Sequence, residues 1–182
     1  MIMTVDELKK YINTDEEDSG LEARLSALEF LIRAYTNNNF QDVCYRREAD
    51  IVDGVLIVEA LTPFKDGETV QISASRFNDG LYTVKDTDVS TFTVNETVQD
   101  ERKVLVTKVS YPMDVKMGVV HMLQWDLTNR DKVGVSSETI SRHSVTYFDM
   151  SKNNTEMGYP VALLGFLRPY KRARFGQGVR KL

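Results

Sequence analysis

The side chains of this chain that could carry a reaction are few. They are two histidines, one cysteine and the triplet Ser136-Ser137-Glu138. An imidazole serves as general base or metal ligand because it changes charge near neutral pH. His121 stands at helix spacing from Trp125 among apolar neighbours, and His143 is distant from it in sequence. That setting is the ordinary one for a hydrogen-bonded or surface histidine. Cys44 would be a nucleophile only as a thiolate, and Arg46 and Arg47 are the sole nearby groups that would favour one. A structural thiol is the simpler reading. Ser136 and Ser137 have no identifiable partner base. The acidic run D-E-E-D-S-G (residues 15–20) lacks the alternating ligands and distal glutamate of a calcium loop, and reads as a solvated loop before a helix. No H-E-x-x-H, G-x-S-x-G, Walker-A run or G-x-G-x-x-G is present. The expectation is a protein that is not an enzyme, with no catalytic, cofactor-binding or metal residues.

Charge is distributed more tellingly. The chain of 182 residues has formal net charge −4, yet its last segment carries Arg168, Lys171, Arg172, Arg174, Arg180 and Lys181 with no acidic residue. Tyr170 and Phe175 are interleaved with them, while Pro169, Gly176 and Gly178 leave little with which to build a core. A nucleic-acid tether, a membrane anchor and a docking segment for another protein all fit such a tail. These eight residues (Arg168, Tyr170, Lys171, Arg172, Arg174, Phe175, Arg180 and Lys181) are the candidate docking residues.

The elements that must position this tail follow from periodicity. A capping-box spacing, Thr4 to Glu7, opens a short helix carrying Leu8, Tyr11 and Ile12. Leu21, Leu25, Leu28, Ile32 and Tyr35 recur at three- and four-residue steps, which predicts an amphipathic helix over residues 19–37 ended by Asn37-Asn38-Asn39. Five short runs rich in β-branched residues follow: V-L-I-V-E, T-V-Q-I-S, L-Y-T-V, T-F-T-V and V-L-V-T-K-V. Asp53-Gly54, Asp66-Gly67 and Asn78-Asp79-Gly80 separate several of them as turn residues with positive φ, so a small barrel or curled sheet is expected. Pro112 opens a third helix with Val115, Val119, Met122, Leu123 and Leu127 inward, and residues 135–149 read as extended. A last core helix begins between Glu156 and Pro160 and ends near Leu167, because Pro169 disfavours helix at Arg168. Val161, Leu163, Leu164, Phe166 and Leu167 are its expected core contacts.

The expected fold class is α+β: a small helical bundle with an inserted small β-barrel-like module and an extended basic C-terminal arm. Its parts are residues 1–42 and 111–167 for the bundle, 43–110 for the β module and 168–182 for the arm. A single cysteine excludes an intramolecular disulfide and a multi-thiolate zinc site, and suits a reducing interior. No secretory signal is read at the N-terminus, and no window reaches the roughly 20 apolar residues of a spanning helix. A soluble protein without a membrane partner is expected.

The ordered set A-Y-T-N-N-N-F, L-T-P-F-K-D-G-E-T-V-Q-I-S-A-S-R-F-N-D-G-L-Y-T-V, S-S-E-T-I-S-R-H-S-V-T-Y and Y-P-V-A-L-L-G-F-L-R-P-Y-K-R-A-R-F covers nearly the whole chain. It resembles the head–tail connector (adaptor, head-completion) proteins of tailed bacteriophages. The resemblance implies a structural subunit made in the bacterial host cytoplasm and built into the virion at the head–tail junction. It implies a homo-oligomeric ring of about twelve subunits joined by head-to-tail patches. The implied partners are the portal protein, a stopper or tail-completion protein, and double-stranded DNA that passes without tight binding. Two competing functions remain in view: a nucleic-acid-binding protein using the basic tail, and a tail-terminator-type morphogenesis protein. The acidic remainder of the chain argues against the first, and the helical segments argue against the second.

Overall fold

A computed structural model describes residues 1–129 and 154–173 in full, and residues 137–140 and 143–146 for their backbone. The chain divides into two compact units. One is Met1–Ile2 with Asn39–Tyr111, and the other is Met3–Asn38 with Pro112–Leu182.

The first unit is a closed antiparallel barrel. Its strands are β1 (Gln41–Val52), β2 (Val55–Val58), β3 (Thr69–Ser73), β4 (Gly80–Thr87), β5 (Thr91–Val94) and β6 (Glu101–Val109). Around the barrel they run β1-β2-β5-β4-β3-β6, with β6 pairing back onto β1. Closure leaves no free sheet edge for unwanted pairing. Alternate residues point inward and fill the interior: Ile51, Leu56, Val58, Val70, Ile72, Phe92, Val104 and Val106 are all at most 2% exposed. Phe64, from the β2–β3 connection, packs edge-on against Phe92 at 5.1 Å between ring centroids.

This architecture overturns the expected fold class. The β region is no small appendage to a helical bundle, since its six strands close completely around their own core. The strand that periodicity did not predict is β1. Its charged stretch Q-D-V-C-Y-R-R-E buries little, and only Ala49 and Ile51 reach the interior. Its strand character comes from pairing with both β2 and β6, which no local propensity announces. The turns also divide. Asp53 (φ 50°) and Gly54 (φ 79°) form the two-residue hairpin turn expected of an Asp-Gly pair, and Gly67 (φ 79°) is left-handed too. In the β3–β4 loop, however, the positive φ falls on Ala74 (58°), not on Asn78-Asp79-Gly80.

The second unit holds the helices. α1 (Val5–Leu8) is capped by Thr4, whose hydroxyl accepts from Glu7 N at 3.1 Å. The Glu7 carboxylate goes to Lys116 Nζ (3.0 Å), so half of the expected capping box becomes an ion pair. α2 (Asp18–Thr36) buries Leu21, Leu25, Leu28 and Ile32, and ends at Asn37 in the left-handed conformation (φ 50°). α3 (Met113–Asn129) buries Val115, Val119, Met122 and Leu123; Asp126 is buried beside them, and Leu127 is only half-buried. The backbone pairs β7 (Ser137–Ile140) with β8 (His143–Thr146), and β9 (Thr155–Glu156) with β10 (Tyr159–Pro160).

The last expected α-helix is a 3-10 helix over Val161–Tyr170 that contains Pro169. With three residues per turn, Val161, Leu164, Leu167 and Tyr170 share one face. The burial follows that period: Leu164 and Leu167 are buried, while Ala162, Gly165 and Arg168 are exposed. Arg168 and Tyr170, expected in the arm, therefore lie in this helix, and Lys171 is the first residue past it, with extended dihedrals.

Candidate docking site at the root of the basic arm

The end of α2 presents carbonyl groups that no longer have partners within the helix, together with the negative end of the helix dipole. The chain that leaves the 3-10 helix passes these groups and satisfies one of them, the Thr36 carbonyl. Arg172 N donates to Thr36 O at 2.8 Å. Asn38 Nδ2 donates to Tyr170 O at 3.2 Å, and Asn37 Nδ2 to Ala173 O at 3.1 Å. Lys171 Nζ stands 3.7 Å from the centroid of the Tyr35 ring, a close cation–π contact. The Asn37-Asn38 pair thus both stops α2 and holds the outgoing chain.

Tyr170 anchors the same segment from the other side. Its hydroxyl lies 2.8 Å from each Asp114 carboxylate oxygen, in the first turn of α3. That hydrogen bond, with some burial, holds the phenol above its ordinary range, so it remains a donor. Arg168, Lys171 and Arg172 are exposed. Of the eight candidate residues, Arg168, Tyr170, Lys171 and Arg172 come together here, with Tyr170 serving as the bolt, Lys171 over the Tyr35 ring, and Arg168 and Arg172 exposed. Arg174, Phe175, Arg180 and Lys181 lie outside the described residues.

The side chains with potential for catalysis are scattered. His121 is exposed on α3, and Cys44 is exposed on β1 where its N–H donates to Asp42 Oδ1. Ser136 lies outside the described residues, and Ser137, Glu138 and His143 are described only as backbone of β7 and β8. In the acidic run, Glu16 pairs with Arg24 Nε at 2.8 Å and Asp18 pairs with Lys9, which uses these carboxylates locally. Among the described residues no group of three or more His, Cys, Asp or Glu side chains could hold a metal, and no helix is long and apolar enough to cross a membrane.

Sequence reasoning missed Asp114, Asn38, Thr36 and Tyr35 as partners of the arm. Only Asn38 carried a signal, as part of a triple-Asn helix stop; the others are brought to the arm by packing. No protein-family model matches the chain, and no curated protein matches it.

Proposed function

We propose that this chain is a structural connector subunit of a tailed-phage head–tail junction, not an enzyme, assembled as a ring beneath the portal. The observation that carries the reading is the pinned root of the basic arm. A tether for nucleic acid needs only charge and length. Here Tyr170, Arg172 and Ala173 are fixed by hydrogen bonds, so the cations leave the helical unit at a defined point and direction. Such pre-ordering lowers the entropy lost when a partner surface is met. It suits docking on one protein geometry more than tracking of a phosphate backbone. The closed barrel is compatible with an assembly component, because each strand pairs with a neighbour on both sides and no open sheet edge is offered for unwanted pairing.

The acidic balance of the chain fits a channel through which DNA passes without adhering, because a basic wall would hold phosphates with strong salt dependence. Partners in this reading are further copies of the chain, the portal protein and a stopper or tail-completion protein.

Negative-stain imaging of the full chain, alone and mixed with portal protein, tests the proposal. Rings with a central hole are expected, bound coaxially to portal. Absence of rings under both conditions sinks the reading. Tight, salt-sensitive binding of duplex DNA in a gel shift would favour the nucleic-acid alternative instead.

A further inference from the structure

The β3–β4 loop exposes two residues of the kind that anchor interfaces. Phe77 is 58% exposed at its tip, and the Arg76 guanidinium lies 5.3 Å from the Phe77 ring centroid. An exposed phenylalanine and an alanine held at φ 58° are both unfavourable for an isolated loop. The loop is nevertheless over-determined. Glu101, at the start of β6, receives Arg76 N at 2.6 Å, Asn78 Nδ2 at 3.1 Å and the Ser75 hydroxyl. Asn78 is buried and exchanges hydrogen bonds with the Gln99 backbone, donating to its carbonyl (3.0 Å) and accepting from its N–H (2.8 Å). The Ser75 hydroxyl oxygen also accepts from Asn78 N at 2.7 Å. These bonds hold the Glu101 carboxyl below the ordinary glutamate range. A rigid loop that presents an Arg–Phe pair loses little conformational freedom on docking.

The same barrel carries a receptor of matching chemistry. The β1–β6 register breaks between Ala49 and Ile51, where Lys103 turns to φ 60° and its N–H bonds Asp50 Oδ1 at 2.8 Å. This bulge opens a surface groove of about 230 Å³ across β1. Val52 and Ile57, both more than 40% exposed, give it apolar walls; Glu48, Asp50 and Glu59 supply carboxylates, and Arg102 and Lys103 also line it, so the carboxylates exceed the cations by one. Its volume lies below the roughly 300 Å³ at which small-molecule sites begin. It suits one inserted side chain with a cation at its rim.

We propose that the Arg76–Phe77 tip of one copy docks in the β1 groove of a second copy, Phe77 against Val52 and Ile57, and Arg76 against Glu59. This deepens the ring reading and rests on it. Tip and groove are different patches, so each subunit can give to one neighbour and receive from another, as a ring requires.

Sedimentation velocity of the full chain, from micromolar to roughly millimolar concentration, tests the contact; the upper limit approximates the effective concentration within an assembly. Wild type associates with rising concentration. Phe77→Ala, Arg76→Glu and Glu59→Arg each weaken association at least about tenfold, as loss of an interface anchor does. The double variant Arg76→Glu/Glu59→Arg recovers most of it. All of these changes are at exposed positions, and unchanged thermal unfolding confirms that the variants fold. A monomeric wild type, single variants that associate normally, or a double variant no stronger than the singles overturns the contact. So does duplex DNA binding that Phe77→Ala abolishes. Rings that persist in Phe77→Ala and Arg76→Glu overturn this contact and leave the connector reading standing. Association that Phe77→Ala abolishes, without rings alone or with portal, keeps the contact and overturns the connector reading.

Discussion

Gly118 allows a close approach between α3 and the 3-10 helix, and an added methyl group measures it. It is buried on α3, where a Cβ would stand 2.3 Å from Phe166 Cζ and 2.4 Å from both Cε atoms. Ordinary carbon contacts lie at about 3.5–4.0 Å, so Gly118→Ala forces the ring aside by more than an ångström or moves the 3-10 helix away from α3. Overpacking of this kind costs about 1–3 kcal/mol. Against it stands the helix preference of alanine over glycine, about 0.8–1.0 kcal/mol. The net expectation is a loss of roughly 0–2 kcal/mol. In a Phe166→Ala background the obstacle is gone and only the propensity term remains, so the same substitution should stabilise by about 0.8–1.0 kcal/mol. Urea unfolding followed by the fluorescence of Trp125, the sole tryptophan and a residue of α3, reads all four members of the cycle. A coupling of about 1–3 kcal/mol is expected. If Gly118→Ala shifts stability equally in both backgrounds, the Phe166 ring does not rest on Gly118, and the close contact between α3 and the 3-10 helix is refuted.

Tyr159 donates its buried hydroxyl to Asp126 Oδ2 at 2.5 Å; Tyr159→Phe should therefore cost about 1.5–3 kcal/mol in the same urea assay. Glu101 holds its loop as a carboxylate with a lowered pKa, so its contribution is complete above the unfolded value, about 4.3, and fades as pH falls through the lower folded value. Amide exchange at Arg76 and Phe77 should show a matching acid-side loss of protection, absent in Glu101→Gln. Deleting residues 174–182 should leave unfolding of the helical unit unchanged, since the bonds at Tyr170, Arg172 and Ala173 remain, while joining of tails to DNA-filled heads fails in a complementation assay. Normal joining would remove the arm from docking.

Periodicity made the local elements legible. The spacing of Leu21, Leu25, Leu28 and Ile32 encodes a buried helical stripe, and Asp53-Gly54 encodes a hairpin turn, because both signals are complete within a few residues. The 3-10 helix was less legible, as L-L-G-F-L-R-P permits either period until packing selects every third residue. The candidate site was half visible: charge composition marked the basic arm, but nothing near Asp114 or Thr36 in sequence announces a bond to residues 56 and 136 positions away.

By itself the sequence determined which segments bury a face, where the chain turns and where positive charge collects, all of which depend on neighbouring residues. Tertiary structure alone decided that β1 closes a barrel, that Ala74 rather than a glycine takes the left-handed turn, and that Glu101 braces Arg76 and Phe77. Each of these depends on groups distant in the chain whose pairing energies outweigh local preference: β6 for β1, and the Glu101 carboxylate for the loop.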